Sequence, residues 1–204
     1  MEFIILVLVF SSGFLIGKYR SSYEDNIGER AVRKLLTTNL PYDDYQLLNN
    51  VTIPIDNGST QIDHILVSTK GIFVIETKHY SGWIFGNANS KKWTQVIYKS
   101  KNQFQNPLHQ NYSHVKALTS LLDFLDPHVF KSLVVFTGTA EFKSKKPAGV
   151  YNLQEIISVI TSHKEEVISK NRMQFCVGRI ECTRYEISQE TDIEHISLSI
   201  TFQM

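Results

Sequence analysis

The stretch QIDHILV (residues 61–67), the turn Ser68 to Lys70, and GIFVIETK (residues 71–78) decide the fold. The first stretch alternates. Ile62, His64 and Leu66 face one way, and Gln61, Asp63, Ile65 and Val67 face the other. The second stretch is apolar on both faces, as expected for a strand in the middle of a sheet. Gly71 can take the positive φ that a tight reversal needs. If Val67 pairs with Ile72 across the turn, Asp63 falls opposite Glu76. Cross-strand partners hold their Cβ atoms ~4.5–5.5 Å apart. Two carboxylates so placed repel unless a cation or a proton lies between them. A hard divalent ion with oxygen ligands, Mg²⁺ or Mn²⁺, resolves that. Glu76 and Lys78 are two residues apart and share the face of Ile72 and Val74. Lys78 does not ligate such an ion, but it can orient or help deprotonate a water and stabilise negative charge. On spacing alone the same residues also fit a surface face, with Glu76 paired to Lys78 and Asp63 solvated. A one-residue slip in register would put Asp63 on the other face.

Working outward, a helix is expected from a cap at Asp25 or Asn26 through Leu36, with Ile27, Ala31, Val32, Leu35 and Leu36 on its apolar face. Pro41 ends it. Tyr45 to Ile53 reads as a first strand, and Asp56 to Ser59 as a turn. Short strands are expected around Trp83 to Phe85 and over Trp93 to Tyr98. Asn106 and Pro107 open a second helix, with Leu108, Tyr112, Val115, Leu118, Leu122 and Leu125 as its buried stripe. Phe130 to Thr137 is a buried strand, and Leu153 to Ile168 a third helix. From Met173 onward VGRIECTRYEI favours helix, and SLSITF fits a strand. The order predicts an α/β fold, a mixed β-sheet flanked by helices.

The chain has 204 residues, enough for one domain of ordinary size. Apolar residues make up 42% and charged residues 20%, which excludes a disordered chain and a multi-pass membrane protein. Two cysteines, Cys176 and Cys182, cannot make a disulfide framework or a zinc site by themselves. Phe3 to Gly17 is uncharged, and Lys18 and Arg20 follow it. A helix of that length covers roughly 22 Å, and the stems of Lys18 and Arg20 extend its reach. Positive charge after the run, and no A-x-A pattern, favour an anchor over a cleaved signal peptide. Residues 1–20 are therefore expected to be a transmembrane anchor, with residues 21–204 in the cytoplasm. That second part holds 19 basic and 19 acidic residues. Its neutrality gives no sign of indiscriminate nucleic-acid binding. Local basic groups remain at Lys91/Lys92, Lys99/Lys101 and Lys143/Lys145/Lys146, which either track a phosphate backbone or are merely solvated.

The set G-E-x-x-V at Gly28, Glu29 and Val32, Q-I-D-H-I at 61–65, G-I-F-V-I-E-T-K at 71–78, Trp93, and N-P-x-x-Q at Asn106, Pro107 and Gln110 closely resembles the nuclease-related (NERD) domain. That domain belongs to the PD-(D/E)xK nuclease-like superfamily, and the resemblance covers roughly residues 25–140. It implies a restriction-endonuclease-like α-β-β-β-α-β core. It also implies Asp63 and Glu76 as metal ligands with the Thr77 carbonyl as a third, Lys78 as catalytic lysine, and Glu29 as a helical acid that supports the ion or its water. Gln110 matches the glutamine of the RecB-like branch. His114 stands where a tyrosine would complete Q-x-x-x-Y, and it keeps an aromatic ring for substrate contact. Ile62 stands in place of the proline of the superfamily name.

The expected function is a membrane-anchored, Mg²⁺- or Mn²⁺-dependent nuclease acting on DNA, or on RNA, from the cytoplasmic side. The alternative is a non-catalytic, membrane-anchored nucleic-acid-binding or adaptor module on the same fold. His64, His79, Trp83 and Trp93 read as structural residues, with base stacking as a second use for the tryptophans.

Overall fold

The computed structural model describes residues 27–56 and 58–185. The expected anchor at residues 1–20 and the SLSITF segment lie outside these. Among the described residues no helix is long and apolar enough to cross a membrane.

Helix α1 spans residues 27–39, buries Val32 and Leu36 one turn apart, and stops before Pro41. Three antiparallel strands follow: β1 (Tyr45–Ile55), β2 (Gly58–Ser68) and β3 (Gly71–Lys78). A small unit of β4 (Gly82–Phe85), β5 (Lys92–Ile97) and β6 (Ser100–Gln105) precedes α2 (Pro107–Leu121). Then come β7 (Phe130–Phe136), β8 (Ala140–Phe142), β9 (Val150–Asn152), α3 (Ile156–Ser162) and α4 (Lys170–Thr183). The main sheet has the order β1-β2-β3-β7-β9, with β3, β7 and β9 parallel. A second sheet has the order β6-β5-β4-β8. The sequence α1-β1-β2-β3-α2-β7 is thus the α-β-β-β-α-β core, with β4, β5 and β6 of the second sheet inserted between β3 and α2 and β8 added to that sheet after β7.

The register follows the sequence reading. Val67 pairs with Ile72, and the ladder runs to His64 opposite Ile75. Gly71 takes φ +140°, and a Cβ there would lie 3.0 Å from the Val129 carbonyl, so any larger residue would be strained. Strand β3 is buried on both faces. Ile72 and Val74 pack with Leu118 and Leu122 and with Met173, Cys176 and Ile180 of α4. Phe73 and Ile75 pack with Val32 and Leu36 of α1 and Ile156 and Ile160 of α3. Each such side chain contributes about 1.5–3 kcal/mol, so this strand is the least movable part of the molecule. A third cluster, Ile84, Trp93, Val134, Phe136 and Val150, fastens the second sheet to the first.

Three expectations change. The expected helix from Leu153 to Ile168 is a 3₁₀ turn at Leu153–Glu155 and then α3, ending at Ser162. The charged run Lys164 to Glu166 has no apolar face to bury, and the amides of Val167 and Ile168 donate to the Thr69 carbonyl instead (2.8 and 3.1 Å). The buried face of α2 is Asn111, His114 and Leu118, whereas Tyr112 is exposed. Strands β6, β8 and β9 are additional; SKNQFQ in β6 contains one apolar residue, Phe104, too few to show alternation.

Candidate active site at the parting of β2 and β3

The ladder between β2 and β3 ends at His64–Ile75, one pair before Asp63 and Glu76. On the other side of β2, Asn49 pairs with His64 and Val51 with Ile62, but Asn50 leaves the ladder with φ +50°. The strands change phase there. Tyr45 and Leu47 of β1 join the α1 side of the sheet, and Val51 and Ile53 join the α2 side. Freed from regular pairing, Asp63 accepts a hydrogen bond from the Thr77 amide through Oδ2 (2.7 Å). Its carboxylate stands where a regular ladder would place a backbone carbonyl.

Glu76 lies at the far end of β3 and is 1% exposed. The Lys78 ammonium sits 2.6 Å from its Oε1, and His114 Nε2 lies 3.2 Å from its Oε2 without hydrogen-bond geometry. The other ring nitrogen of His114, Nδ1, is 2.8 Å from Thr60 Oγ1. Burial would raise the Glu76 pKa, but Lys78 and then His114 more than offset it and hold it below the usual value. Burial would lower Lys78, and the charges of Glu76 and Asp63 raise it instead. Asp63 is pushed well above the usual carboxylate range, by burial first, then by Glu76. Lys78 and the Thr77 amide oppose that rise, and Glu29 adds to it.

Glu29 reaches this neighbourhood because α1 packs unusually close. A Cβ on Gly28 would lie 2.7 Å from Thr137 Oγ1 and 2.9 Å from His79 Cβ. Only glycine allows the first turn of the helix to rest on the end of β3. Gln110, half-buried, lies one turn before His114 on α2. That helix starts where expected: Asn106 caps it by accepting from the Leu108 amide (3.0 Å).

The structure therefore brings Asp63, Glu76, Thr77 and Lys78 together, with Glu29 near Asp63. His114 is drawn inward, buried against Glu76. His64 points away from them and is paired to Asn49 Oδ1 (2.7 Å); burial and the nearby Arg33 lower its pKa to about 4. Sequence reading missed the link from Thr60 through His114 to Glu76. Its one signal is spacing: His114 falls on the same helical face as Asn111 and Leu118.

Among the described residues no three His, Cys, Asp or Glu side chains converge as a metal-binding group. Mg²⁺ asks for less, since one or two carboxylates usually hold it, with waters and substrate phosphates completing its shell. Asp63 and Glu76 meet that requirement. Asp63 Oδ1 makes no hydrogen bond among the described residues, and Glu76 Oε2 is buried without one. The donors are oxygens, which suits Mg²⁺ or Mn²⁺.

A three-stranded meander, a crossover helix and a parallel fourth strand, with an aspartate, a glutamate and a lysine where β2 parts from β3, define a nuclease-like α/β domain. The family model for the nuclease-related domain (NERD) matches residues 24–137, and the chain belongs to that family. The core is consistent with the PD-(D/E)xK superfamily. The chain is also 39% identical over 123 residues to an uncharacterized protein of Bacillus anthracis. The match takes in 60% of this chain and 58% of that relative's length. No solved structure matches.

Proposed function

We propose that this protein is a divalent-metal-dependent nuclease that hydrolyses phosphodiester bonds of DNA, or of RNA. The observation that carries the reading is the meeting of Asp63, Glu76 and Lys78 where β2 parts from β3. Asp63 and Glu76 would hold Mg²⁺ or Mn²⁺, with the Thr77 carbonyl as a further oxygen ligand. Such an ion, when bound, polarises a phosphate and lowers the pKa of a water. Glu76 holds the Lys78 ammonium at one place, so the lysine can orient a water and face the charge that builds on phosphate oxygens. Glu29 supplies a further acidic group beside Asp63 for positioning water. His114 packs beside the Glu76 carboxylate from the α2 side, 3.2 Å from Oε2. Gln110, nearer the start of that helix, is the proposed substrate contact.

The apolar run from Phe3 to Gly17, followed by Lys18 and Arg20, supports a single-pass anchor that leaves the domain on the cytoplasmic side. A second reading, a binding module that does not cut, draws on the 2.6 Å contact between Lys78 and Glu76, since an inert site would keep that internal pair. One assay separates the two. Labelled single-stranded and duplex substrates are incubated with Mg²⁺, Mn²⁺ or EDTA. Cleavage in metal alone, lost in Glu76→Gln and Lys78→Met, is the expected result. Equal cleavage by the variants would sink the assignment, and binding without cleavage would favour the second reading.

A further inference from the structure

We infer that the outer face of the inserted sheet, β6-β5-β4-β8, is a binding surface for single-stranded nucleic acid. The inner face is accounted for: Ile84 and Trp93 are fully buried against Val134 and Phe136. Residues paired across strands share a face. Trp83 pairs with Val96 and Val96 with Lys101, while Phe85 pairs with Thr94 and Thr94 with Gln103. The outer face therefore carries two aromatic rings amid polar and basic neighbours, with one acid, Glu141, which pairs with Trp83 across β4 and β8 and is neutralised by Lys143 at 2.6 Å. Trp83 is 50% exposed, and the Lys143 ammonium lies 5.0 Å from its ring centroid. Beside Trp83 is a surface hollow of about 460 Å³, lined also by Val96, Ile97 and Tyr98.

Tyr98 adds a separate observation. It begins the two-residue turn between β5 and β6, at φ +53°, and its side chain is 99% exposed. A hairpin position with positive φ favours glycine or asparagine, and packing cannot favour a side chain that touches nothing. A ring held there in spite of its backbone is placed to meet something outside the molecule.

Charge names the occupant. Residues 79–106 contain four lysines and no acidic residue, and residues 138–149 contain three lysines and one glutamate. The neutral total of residues 21–204 thus conceals a basic sheet set in an acidic remainder of 12 basic and 18 acidic residues. Lys143 is paired to Glu141 and Lys146 to Glu155. Lys91, Lys92, Lys99, Lys101 and Lys145 are exposed and make no ion pair among the described residues. Lysines that track phosphates, with exposed rings between them, suit a single strand, whose bases are free to stack; duplex bases already stack on each other. The sheet is also in the right place. Strand β4 starts at Gly82, shortly after Lys78, and β6 ends against the cap of α2, the helix of Gln110.

The inference takes its purpose from the nuclease reading, but its test does not require cleavage. The full chain is reconstituted in phosphatidylcholine vesicles with EDTA and titrated with a single-stranded oligonucleotide. Of the two tryptophans, Trp93 is fully buried, so fluorescence quenching reports Trp83. Quenching is expected in wild type, and the anisotropy of a labelled oligonucleotide, which does not depend on Trp83, should show affinity about ten-fold weaker in Trp83→Ala or Tyr98→Ala. Lys99→Glu/Lys101→Glu should weaken binding and flatten its salt dependence. Tyr98→Ala alters a side chain outside every packed cluster, so it tests the surface even if Trp83→Ala unfolds. Unchanged affinity in Tyr98→Ala and in the lysine double variant overturns the inference. So does equal affinity for a blunt duplex of the same length. A Trp83 response to added phosphatidylserine, with none to oligonucleotide, gives the face to a membrane and overturns it as well. Binding that survives while no cleavage is found in any metal refutes the nuclease reading alone.

Discussion

Replacing Lys78 by methionine keeps the length of the side chain and removes its charge. Glu76 is 1% exposed and its Oε1 takes its one strong contact from Lys78, at 2.6 Å. His114, at 3.2 Å and off hydrogen-bond geometry, is a poor substitute. Removing one member of a buried ion pair costs about 3–5 kcal/mol, because the other charge is left without compensation. Lys78 is 16% exposed, so some water reaches the pair, and the lower end, ~3 kcal/mol, is the appropriate figure. For a domain of this size each kcal/mol moves the melting temperature by roughly 2–4 °C, which gives a fall of about 6–12 °C. Circular dichroism melts in EDTA would measure it. Glu76→Gln removes the stranded charge, so the double variant should be more stable than Lys78→Met, with a coupling of about 2 kcal/mol in the mutant cycle. A melting temperature within ~1 °C of wild type for Lys78→Met, or simple additivity in the cycle, would refute the claim that this pair is what keeps Glu76 ionised inside the sheet.

Two other predictions concern how the site is held. Gly28→Ala should destabilise by about 1 kcal/mol in urea titration, because crowding against Thr137 and His79 outweighs the helix propensity gained; Gly178→Ala on α4, with nothing within 4 Å, should instead stabilise. Asn106→Ala should cost about 2–3 kcal/mol, because it loses the cap and the two N–H donors that three loop carbonyls share. Those carbonyls belong to Asn87, Ala88 and Ser90, at 3.3, 3.1 and 2.8 Å from Asn106 Nδ2. Asn106→Asp keeps the cap without the two Nδ2 N–H donors that these three carbonyls share, so a cost equal to that of alanine would show that the donors dominate.

What was legible was whatever obeyed a period. The alternation of QIDHILV and the doubly apolar GIFVIETK fixed two strands, their turn and their register, although Ile62 packs with Ile65 and Val67 rather than on the side of Leu66 as the alternation assigned it. The face of α2 was misread at Tyr112 because hydrophobicity was the guide. The buried positions are Asn111 and His114, polar groups tolerable there because their partners are supplied by other elements. Asn111 donates to the Val74 and Leu133 carbonyls at 2.9 and 3.1 Å. The change of phase at Asn50 was not legible either. A face assignment by alternation assumes one phase along the strand, and the residue that breaks it carries an ordinary polar side chain. Charge totals hid the basic sheet for a related reason, because a sum over the chain has no position in it.

The inserted sheet and the site follow from a single topological demand. Strands β3 and β7 are parallel, so the chain leaving Lys78 must return to the opposite end of the sheet before β7 can begin. A helix alone satisfies that demand, and α2 is that helix. Three strands of the second sheet, β4, β5 and β6, are additional chain placed where the connection departs from Lys78 and arrives at the start of α2, and β8, arriving after β7, completes the sheet beside β4. Asn106 locks the two pieces: its side chain caps α2 and also holds the loop between β4 and β5. The loop of the sheet and the first turn of the helix that carries Gln110 and His114 are thereby held by one side chain. A strand of nucleic acid lying on the sheet would therefore bear, through one buried asparagine, on the helix that carries Gln110 and the His114 ring beside Glu76.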